Sequence, residues 1–243
     1  MKPSASEATK IRLQVFLSHS GVCSRRRALT LIQEGHVTVN GKTVTEPSTQ
    51  VGPHHDKIFV DGKEIKAKAY EYILFNKPSG YVTTKAEHPG EKTIFDILPE
   101  KFKHLFPVGR LDKDTEGLLL LTNDGEVAYQ LTHPKFNVDK IYFVCINGVL
   151  TPAQKVKLEN GVAIEGDVTS SAKIKDVRSN GQQTEFSMII HEGKKRQIRL
   201  MLNALRHKVV YLKRIQQGPL QLGHLKCGIW RYLTVAEIES IKK

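Results

Sequence analysis

The chain has 243 residues, 40% of them hydrophobic, and its 37 Lys and Arg against 25 Asp and Glu give a net charge of +12. This apolar content is enough for one large and one small core, and the positive charge favours a polyanionic partner. No apolar run is long enough to predict a membrane span. The three cysteines are far apart in sequence and match neither a disulfide set nor a zinc site, so we expect a cytoplasmic protein without a metal.

The first 35 residues predict a tail and two helices. Residues 1–9 are polar and predict a flexible tail rather than a signal peptide. Apolar positions from Ile11 onward predict a helix that ends near residues 20–21. Ser24 is the expected N-cap of a second helix, which ends at Gly35. Three cations occupy the first turn of that helix, namely Arg25, Arg26 and Arg27.

Two hairpins are predicted next. Residues 36–39 alternate as a strand before the turn Asn40-Gly41, and a second hairpin surrounds Asp61-Gly62. Helix, arginine-started helix and hairpin together resemble the S4-like αL RNA-binding motif of ribosomal proteins. The resemblance implies an RNA-binding domain over residues 10–65, followed by a linker at 66–69, with Arg25 to Arg27 on RNA phosphates. Arg27 stands where relatives often carry Glu, which should strengthen phosphate contact.

Residues 70–243 predict a larger α+β domain with a mainly antiparallel sheet and a few helices. Strands are expected at 72–75, 81–84, 118–122, 141–146, 172–177, 184–190 and 209–212. Helices are expected at 93–98, 126–132, 196–205, from Pro152 onward, and from the capping box formed by Thr234 and Glu237. Leu220, Leu222, Trp230 and Leu233 are expected to lie in the core.

The segment from Phe106 to Gly125 contains the best candidate for chemistry. It places Asp112 in a loop before the apolar run 118–121. A carboxylate beside apolar strands loses hydration unless a cation or hydrogen-bond donors replace the water. Asp, Thr, Asn and Gly also form ordinary turns, so composition alone would allow a purely structural loop.

The order of residues from Gly109 to Gly125 resembles the signature of RNA pseudouridine synthases, and more narrowly the bacterial ribosomal RNA branch that carries an αL motif. The resemblance spans residues 10 to 235. It implies the pseudouridine synthase fold, in which a mixed, mainly antiparallel sheet is flanked by helices. It also implies isomerisation of uridine without cofactor or metal, with Asp112 acting at the sugar.

The same resemblance assigns partners to Asp112. The stretch from Glu192 to Met201 is similar to a further family motif, whose arginine corresponds to Arg199. We expect Arg199 to pair with the Asp112 carboxylate, although Arg196, one helical turn earlier, is an alternative. Lys194 and Lys195 are expected to contact phosphate.

A third motif supplies an aromatic side chain. Lys140-Ile141-Tyr142 resembles the family segment in which a tyrosine stacks on the displaced uracil, so Tyr142 is a predicted catalytic residue and Lys140 a predicted RNA contact. Arg110 either fills the gap left by an extruded base or binds phosphate.

The charge distribution supports an RNA partner. Residues 1–69 contain 11 basic and 6 acidic residues, residues 70–190 contain 14 and 16, and residues 191–243 contain 12 and 3. We therefore expect two basic patches beside a site that keeps its carboxylates. The expected substrate is ribosomal RNA, with large-subunit RNA or an assembly intermediate preferred, and we expect a monomer that does not bind membranes.

Two other functions remain possible from the sequence. A ribosome-associated RNA-binding protein without activity would explain the basic ends but not the Asp, Arg and Tyr set. A metal-dependent nuclease or phosphotransferase would use Asp112 and Asp114 to hold the metal, although no third acidic ligand is evident.

Overall fold

The computed structural model describes residues 10–86 and 89–242. The chain divides into two compact units, Met1–Glu71 and Tyr72–Lys243. The predicted tail at residues 1–9 lies outside the described residues. None of the helices in the described ranges has the length and apolar character needed to cross a lipid bilayer.

The first unit consists of two helices and short antiparallel strands. Its elements are β1 (Ile11–Arg12), α1 (Leu13–His19), α2 (Arg25–Gln33), β2 (Val37–Val39), β3 (Lys42–Thr43), β4 (Gln50–Val51), β5 (Ile58–Val60) and β6 (Lys63–Ile65). The sheet order is β3-β2-β5-β6, and β1 pairs separately with β4. Leu13, Phe16 and Ile32 from the helices pack with Val37 and Ile58 from the sheet in a closed core.

Local signals explain this unit well. The Ser24 hydroxyl accepts a hydrogen bond from the Arg27 amide at 3.3 Å, which confirms the predicted cap of α2. Asn40 and Gly41 both have positive φ, 52° and 79°, as the predicted two-residue hairpin turn requires. The prediction that the first helix begins at Ile11 was wrong by two residues, because Ile11 and Arg12 pair with β4 instead.

The second unit is built around one large sheet. The strands of this unit are β7 (Tyr72–Lys77), β8 (Phe106–Pro107), β9 (Glu116–Thr122), β10 (Lys140–Asn147), β11 (Ala163–Ile164), β12 (Asp167–Val168), β13 (Lys173–Ser179), β14 (Gln183–Ile190), β15 (Val209–Gln217), β16 (Leu220–Gln221) and β17 (Trp230–Tyr232). All of them belong to the large sheet except β11 and β12, which pair with each other. The helices of this unit are α3 (Gly125–Thr132), α4 (Pro152–Asn160), α5 (Gln197–Ala204) and α6 (Val235–Lys242).

The sheet order β13-β14-β10-β15-β9-β7-β17 is antiparallel except between β15 and β9, so the predicted α+β class is confirmed. Both faces of β7 and β9 are covered. Ile73 and Leu119 face the core that includes α5, whereas Leu74 and Leu120 face the core that includes α3 and α6. This two-sided burial explains the unbroken leucine run of β9.

Three predicted elements of the second unit differ from the structure. The helix expected at 93–98 is only a short 3-10 helix, Ile94–Asp96. Residues 81–84 form no strand, because only Val82 makes an isolated bridge to Thr93 and the Thr83 side chain bonds to the main chain of Leu111. The strand predicted at 209–212 continues to Gln217 in the sheet centre. Its continuation contains Arg214, which is buried.

Candidate active site

Asp112 lies in the loop between β8 and β9, and this loop is fixed by its own main chain. Leu111 is buried, and its carbonyl accepts a hydrogen bond from the Thr83 hydroxyl at 2.8 Å. The Thr115 amide donates to the Asp112 carbonyl at 3.0 Å and closes a tight turn. The Asp112 side chain is half-buried while its main chain is held from two sides.

Lys77, at the end of β7, stabilises the same loop by hydrogen bonds to its main chain. Its ammonium group is buried and donates to the carbonyls of Asp112 (3.1 Å), Lys113 (3.3 Å), Thr115 (2.8 Å) and Pro78 (3.0 Å). Burial lowers the pKa of Lys77 to about 8, although the nearby carboxylates, Asp114 first among them, favour its charged form. Lys77 was not among the predicted site residues, and its position at the end of an apolar strand and directly before a proline is the local signal that marks it.

Asp112 and Tyr142 line one cavity of about 280 Å³, which we call the Asp112 pocket. Tyr142 projects from β10 and is 9% exposed. Ile190 and Leu212 give the pocket an apolar wall, and the other predicted residues among its lining are Arg110, Lys194, Lys195 and Arg196. The pocket thus brings together Asp112 from the loop before β9 and Tyr142 from β10.

The predicted pairing of Arg199 with Asp112 was wrong. Arg199 Nη2 instead donates to the Asp114 carbonyl at 2.9 Å, and its Nε lies 3.3 Å from Asp114 Oδ2 without hydrogen-bond alignment. Arg196 Nη1 lies 3.5 Å from Asp114 Oδ1. Because the turn after Asp112 brings Asp114 to the start of α5, both arginines meet Asp114. Burial lowers the pKa of Arg199, and Asp112 contributes a smaller, opposing through-space effect.

The loop before α5 is held by hydrogen bonds to a half-buried carboxylate. Glu192 accepts from the Ser170 amide at 2.8 Å and from Gln197 Nε2 at 2.6 Å. Gln197 Oε1 in turn accepts from the Lys194 amide at 3.1 Å. Arg196 has a φ of 52°, so the chain enters α5 through a left-handed residue that this network keeps in place.

The predicted RNA contacts occupy different environments. Arg25, Arg26 and Arg27 are exposed on the first turn of α2 in the first unit. In the second unit Arg110 and Lys195 are exposed, whereas Lys194 forms an ion pair with Asp167. Lys140 is buried, and its ammonium group donates to the carbonyls of Val138 (2.9 Å) and His191 (3.0 Å).

Asp112 and Asp114 are the two carboxylates that the alternative hypothesis, a metal-dependent enzyme, requires. In the described residues, no group of three or more His, Cys, Asp or Glu side chains is arranged to hold a metal ion. Asp114 is paired with the two arginines.

Comparisons with known proteins agree with this arrangement. A family model described as RNA pseudouridylate synthase matches residues 71–204, and an S4 domain model matches residues 11–56. The chain is 40% identical over 235 residues to an uncharacterized RNA pseudouridine synthase of Aquifex aeolicus, covering 96% of this chain and 94% of that protein. It is 40% identical over 233 residues to the ribosomal large subunit pseudouridine synthase B of Bacillus subtilis, covering 95% of each.

A solved pseudouridylate synthase has a similar fold. Its crystal structure superposes with a TM-score of 0.67 at 30% sequence identity, covering 95% of this chain and 99% of that one. The match extends through both units of the chain.

Proposed function

The chain belongs to the RNA pseudouridylate synthase family, and from that membership we propose that it converts one uridine of large-subunit ribosomal RNA to pseudouridine, with Asp112 as the catalytic carboxylate. The large-subunit substrate is supported by the 40% identity to the Bacillus subtilis protein of that name. The enzyme works as a monomer in the cytoplasm, where ribosomal RNA is made and assembled.

The observation that carries this proposal is the shared pocket of Asp112 and Tyr142. A half-buried carboxylate faces a cavity with one aromatic wall, one apolar wall and a basic rim. A pyrimidine ring needs an aromatic or apolar surface on its faces, and a sugar that loses its base needs an anion nearby. The Asp112 pocket offers both.

The reaction breaks the bond from uracil N1 to C1′ and forms a bond from C5 to C1′, so no atom is gained or lost. Positive charge develops on the sugar during cleavage, and the ionised Asp112 stabilises it or captures C1′. The uracil turns within the pocket while Tyr142 stacks on its ring. The proton on C5 leaves after C5 has joined C1′, and N1 gains a proton.

Arg199 has a different role from the one predicted. With Arg196 it holds Asp114, and this contact fixes the far side of the Asp112 turn. Arg199 also places positive charge near Asp112 without pairing with it. We therefore propose Arg199 as a positioning residue and Asp112 and Tyr142 as the catalytic residues.

RNA affinity comes from both basic parts of the chain. The exposed Arg25, Arg26 and Arg27 bind phosphates of structured RNA from the S4-like unit. Arg110, exposed at the rim of the Asp112 pocket, lies where an extruded uridine would leave its helix, and it occupies the gap that the base leaves.

Pseudouridine mapping of ribosomal RNA tests this function. Cells lacking the gene are complemented with the parent, with Asp112→Asn, or with Asp176→Asn, a matched change on the exposed face of β13. We expect one site in large-subunit RNA to be lost on deletion and restored by the parent and by Asp176→Asn only. Purified Asp112→Asn should still bind a transcript that spans the site. Full restoration by Asp112→Asn would contradict the proposed mechanism.

A further inference from the structure

A second cavity of about 470 Å³ adjoins the Asp112 pocket. The two cavities share Gly109, Arg110, Tyr142, Gly193 and Lys194 among their lining residues. A nucleotide bound in the Asp112 pocket therefore has the second cavity as its immediate neighbour. The proposed reaction gives no use to this space.

The second cavity is cationic in its interior. Lys140 and Arg214 lie across neighbouring strands, and they are 8% and 2% exposed. Burial lowers the pKa of Lys140, and the charge of Arg214 lowers it further, partly opposed by Asp139. Glu192 is the carboxylate among the lining residues, and its oxygens already accept hydrogen bonds from Ser170 and Gln197. An anion in this cavity would therefore relieve an unbalanced positive charge.

Two buried polar atoms on this wall lack partners among the described residues. Arg214 Nε donates to the Leu118 carbonyl at 2.8 Å, but its Nη2 makes no hydrogen bond. Gln217 Oε1 also accepts none, although its Nε2 donates to the Leu131 carbonyl at 3.4 Å and so fixes the orientation of the amide. Buried donors and acceptors are rarely left unsatisfied, and here the two residues that carry them both line the same cavity.

We propose that the second cavity binds the nucleotide next to the target uridine, with its phosphodiester on Arg214 and Lys140 and its 2′-hydroxyl on Gln217. A phosphodiester only accepts hydrogen bonds, so it satisfies Arg214 but cannot donate to Gln217 Oε1. The ribose 2′-hydroxyl supplies that donor and distinguishes RNA from DNA. This inference rests on the proposed function, because the Asp112 pocket must hold the target uridine.

A site-specific NMR titration tests the proposal. The Arg214 Nε–H group is buried and hydrogen-bonded, so its signal in ¹⁵N-arginine-labelled protein reports directly on the cavity, and its absence from Arg214→Lys assigns it. The probes are the dinucleotide UpU, its 2′-deoxy analogue, uridine and inorganic phosphate. We expect UpU to shift the signal in a saturable way, uridine to leave it in place, and both phosphate and the deoxy analogue to bind several-fold more weakly.

Matched charge variants separate the cavity from general electrostatics. Gln217→Glu places a carboxylate beside Arg214, whereas Gln216→Glu adds the same charge one residue earlier, outside both cavities. We expect Gln217→Glu to weaken UpU binding about tenfold, the scale of one charged hydrogen bond, and Gln216→Glu to change it less than about twofold.

Several outcomes would overturn the proposal. They are an unmoved Arg214 signal at saturating UpU, equal affinities for UpU and inorganic phosphate, and equal losses in the two glutamate variants. Pseudouridine formation by the parent is measured separately on ribosomal RNA. If the parent forms pseudouridine and UpU does not reach Arg214, only the second cavity is misassigned. If UpU binds as expected and no pseudouridine forms, the proposed function fails and the RNA-binding cavity remains.

Discussion

Replacing Lys77 by Met should destabilise the second unit and disorder the Asp112 loop. The ammonium group donates to four carbonyls, three of them in residues 112–115. An ammonium group has three N–H donors, so two of the four carbonyls share one hydrogen; at about 2 kcal/mol for each hydrogen bond from a charged group, the three donors contribute about 6 kcal/mol. The thioether of Met fills similar space but replaces none of these bonds.

Part of this loss is offset because the buried ammonium is itself unfavourable. Lowering the pKa of Lys77 from its ordinary 10.5 to about 8 corresponds to about 3 kcal/mol. Removing the charge recovers that amount. We therefore expect the free energy of unfolding to fall by about 3 kcal/mol in Lys77→Met, together with a large loss of turnover.

Urea unfolding followed by tryptophan fluorescence measures this loss. Trp230 is the single tryptophan of the chain and lies in β17 of the second unit, so its signal reports that unit. Lys175→Met, at an exposed position of β13, removes the same charge and should stay within about 0.5 kcal/mol of the parent. A Lys77→Met protein as stable and as active as Lys175→Met would refute the reasoning.

Three further predictions concern packing, pH and salt. Gly117→Ala should lower the free energy of unfolding by more than about 2 kcal/mol, because the φ of Gly117 is +106° and the added Cβ would lie 2.2 Å from a carbonyl oxygen of β15. Gly181 has a φ of +86° but open space around it, so Gly181→Ala should lower the free energy of unfolding less in the same urea assay. Pairing with Arg231 holds the pKa of Glu237 at about 2, so Glu237→Gln should cost about 2 kcal/mol at pH 7, a difference that fades as unfolding is measured from pH 4.5 down to 2. Equal stability of parent and variant at pH 7 would contradict this. Neutralising residues 25–27 with Gln should weaken RNA binding and flatten its salt slope by up to about 2 in filter-binding assays, and an unchanged slope would exclude them from phosphate contact.

Elements with local signals were predictable from the sequence. Thr151-Pro152 begins α4, and Thr234 with Glu237 forms the expected capping box at α6, with 2.8 Å from the Thr234 amide to Glu237 Oε2. Each of these signals lies within four residues, so no knowledge of tertiary packing is needed. The Asp112 loop was likewise recognisable from the sequence, because Asp112 and its turn lie in one short segment.

Contacts between distant segments were not predictable in the same way. The motif containing Arg199 indicated that it meets the Asp112 loop, but which aspartate it meets depends on the turn closed by Thr115 and on where α5 begins. Lys77 and Arg214 lie beyond the ends of the strands predicted at 72–75 and 209–212, and only the completed sheet shows that both are buried against main-chain carbonyls. Hydrophobic periodicity and amino-acid composition do not show which distant residues a buried side chain contacts.

The two aspartates of the loop, Asp112 and Asp114, have different surroundings. Asp114 is held by Arg196 and Arg199, so its charge is already neutralised by protein. Asp112 has its main chain fixed by Lys77 and Thr115 while its side chain lines the pocket without a direct cation contact among the described residues. A carboxylate tied to an arginine would be a poorer partner for the developing charge on C1′, because that arginine would compete for it. In the proposed mechanism, the ion pair two residues away anchors the loop and leaves Asp112 available to the sugar.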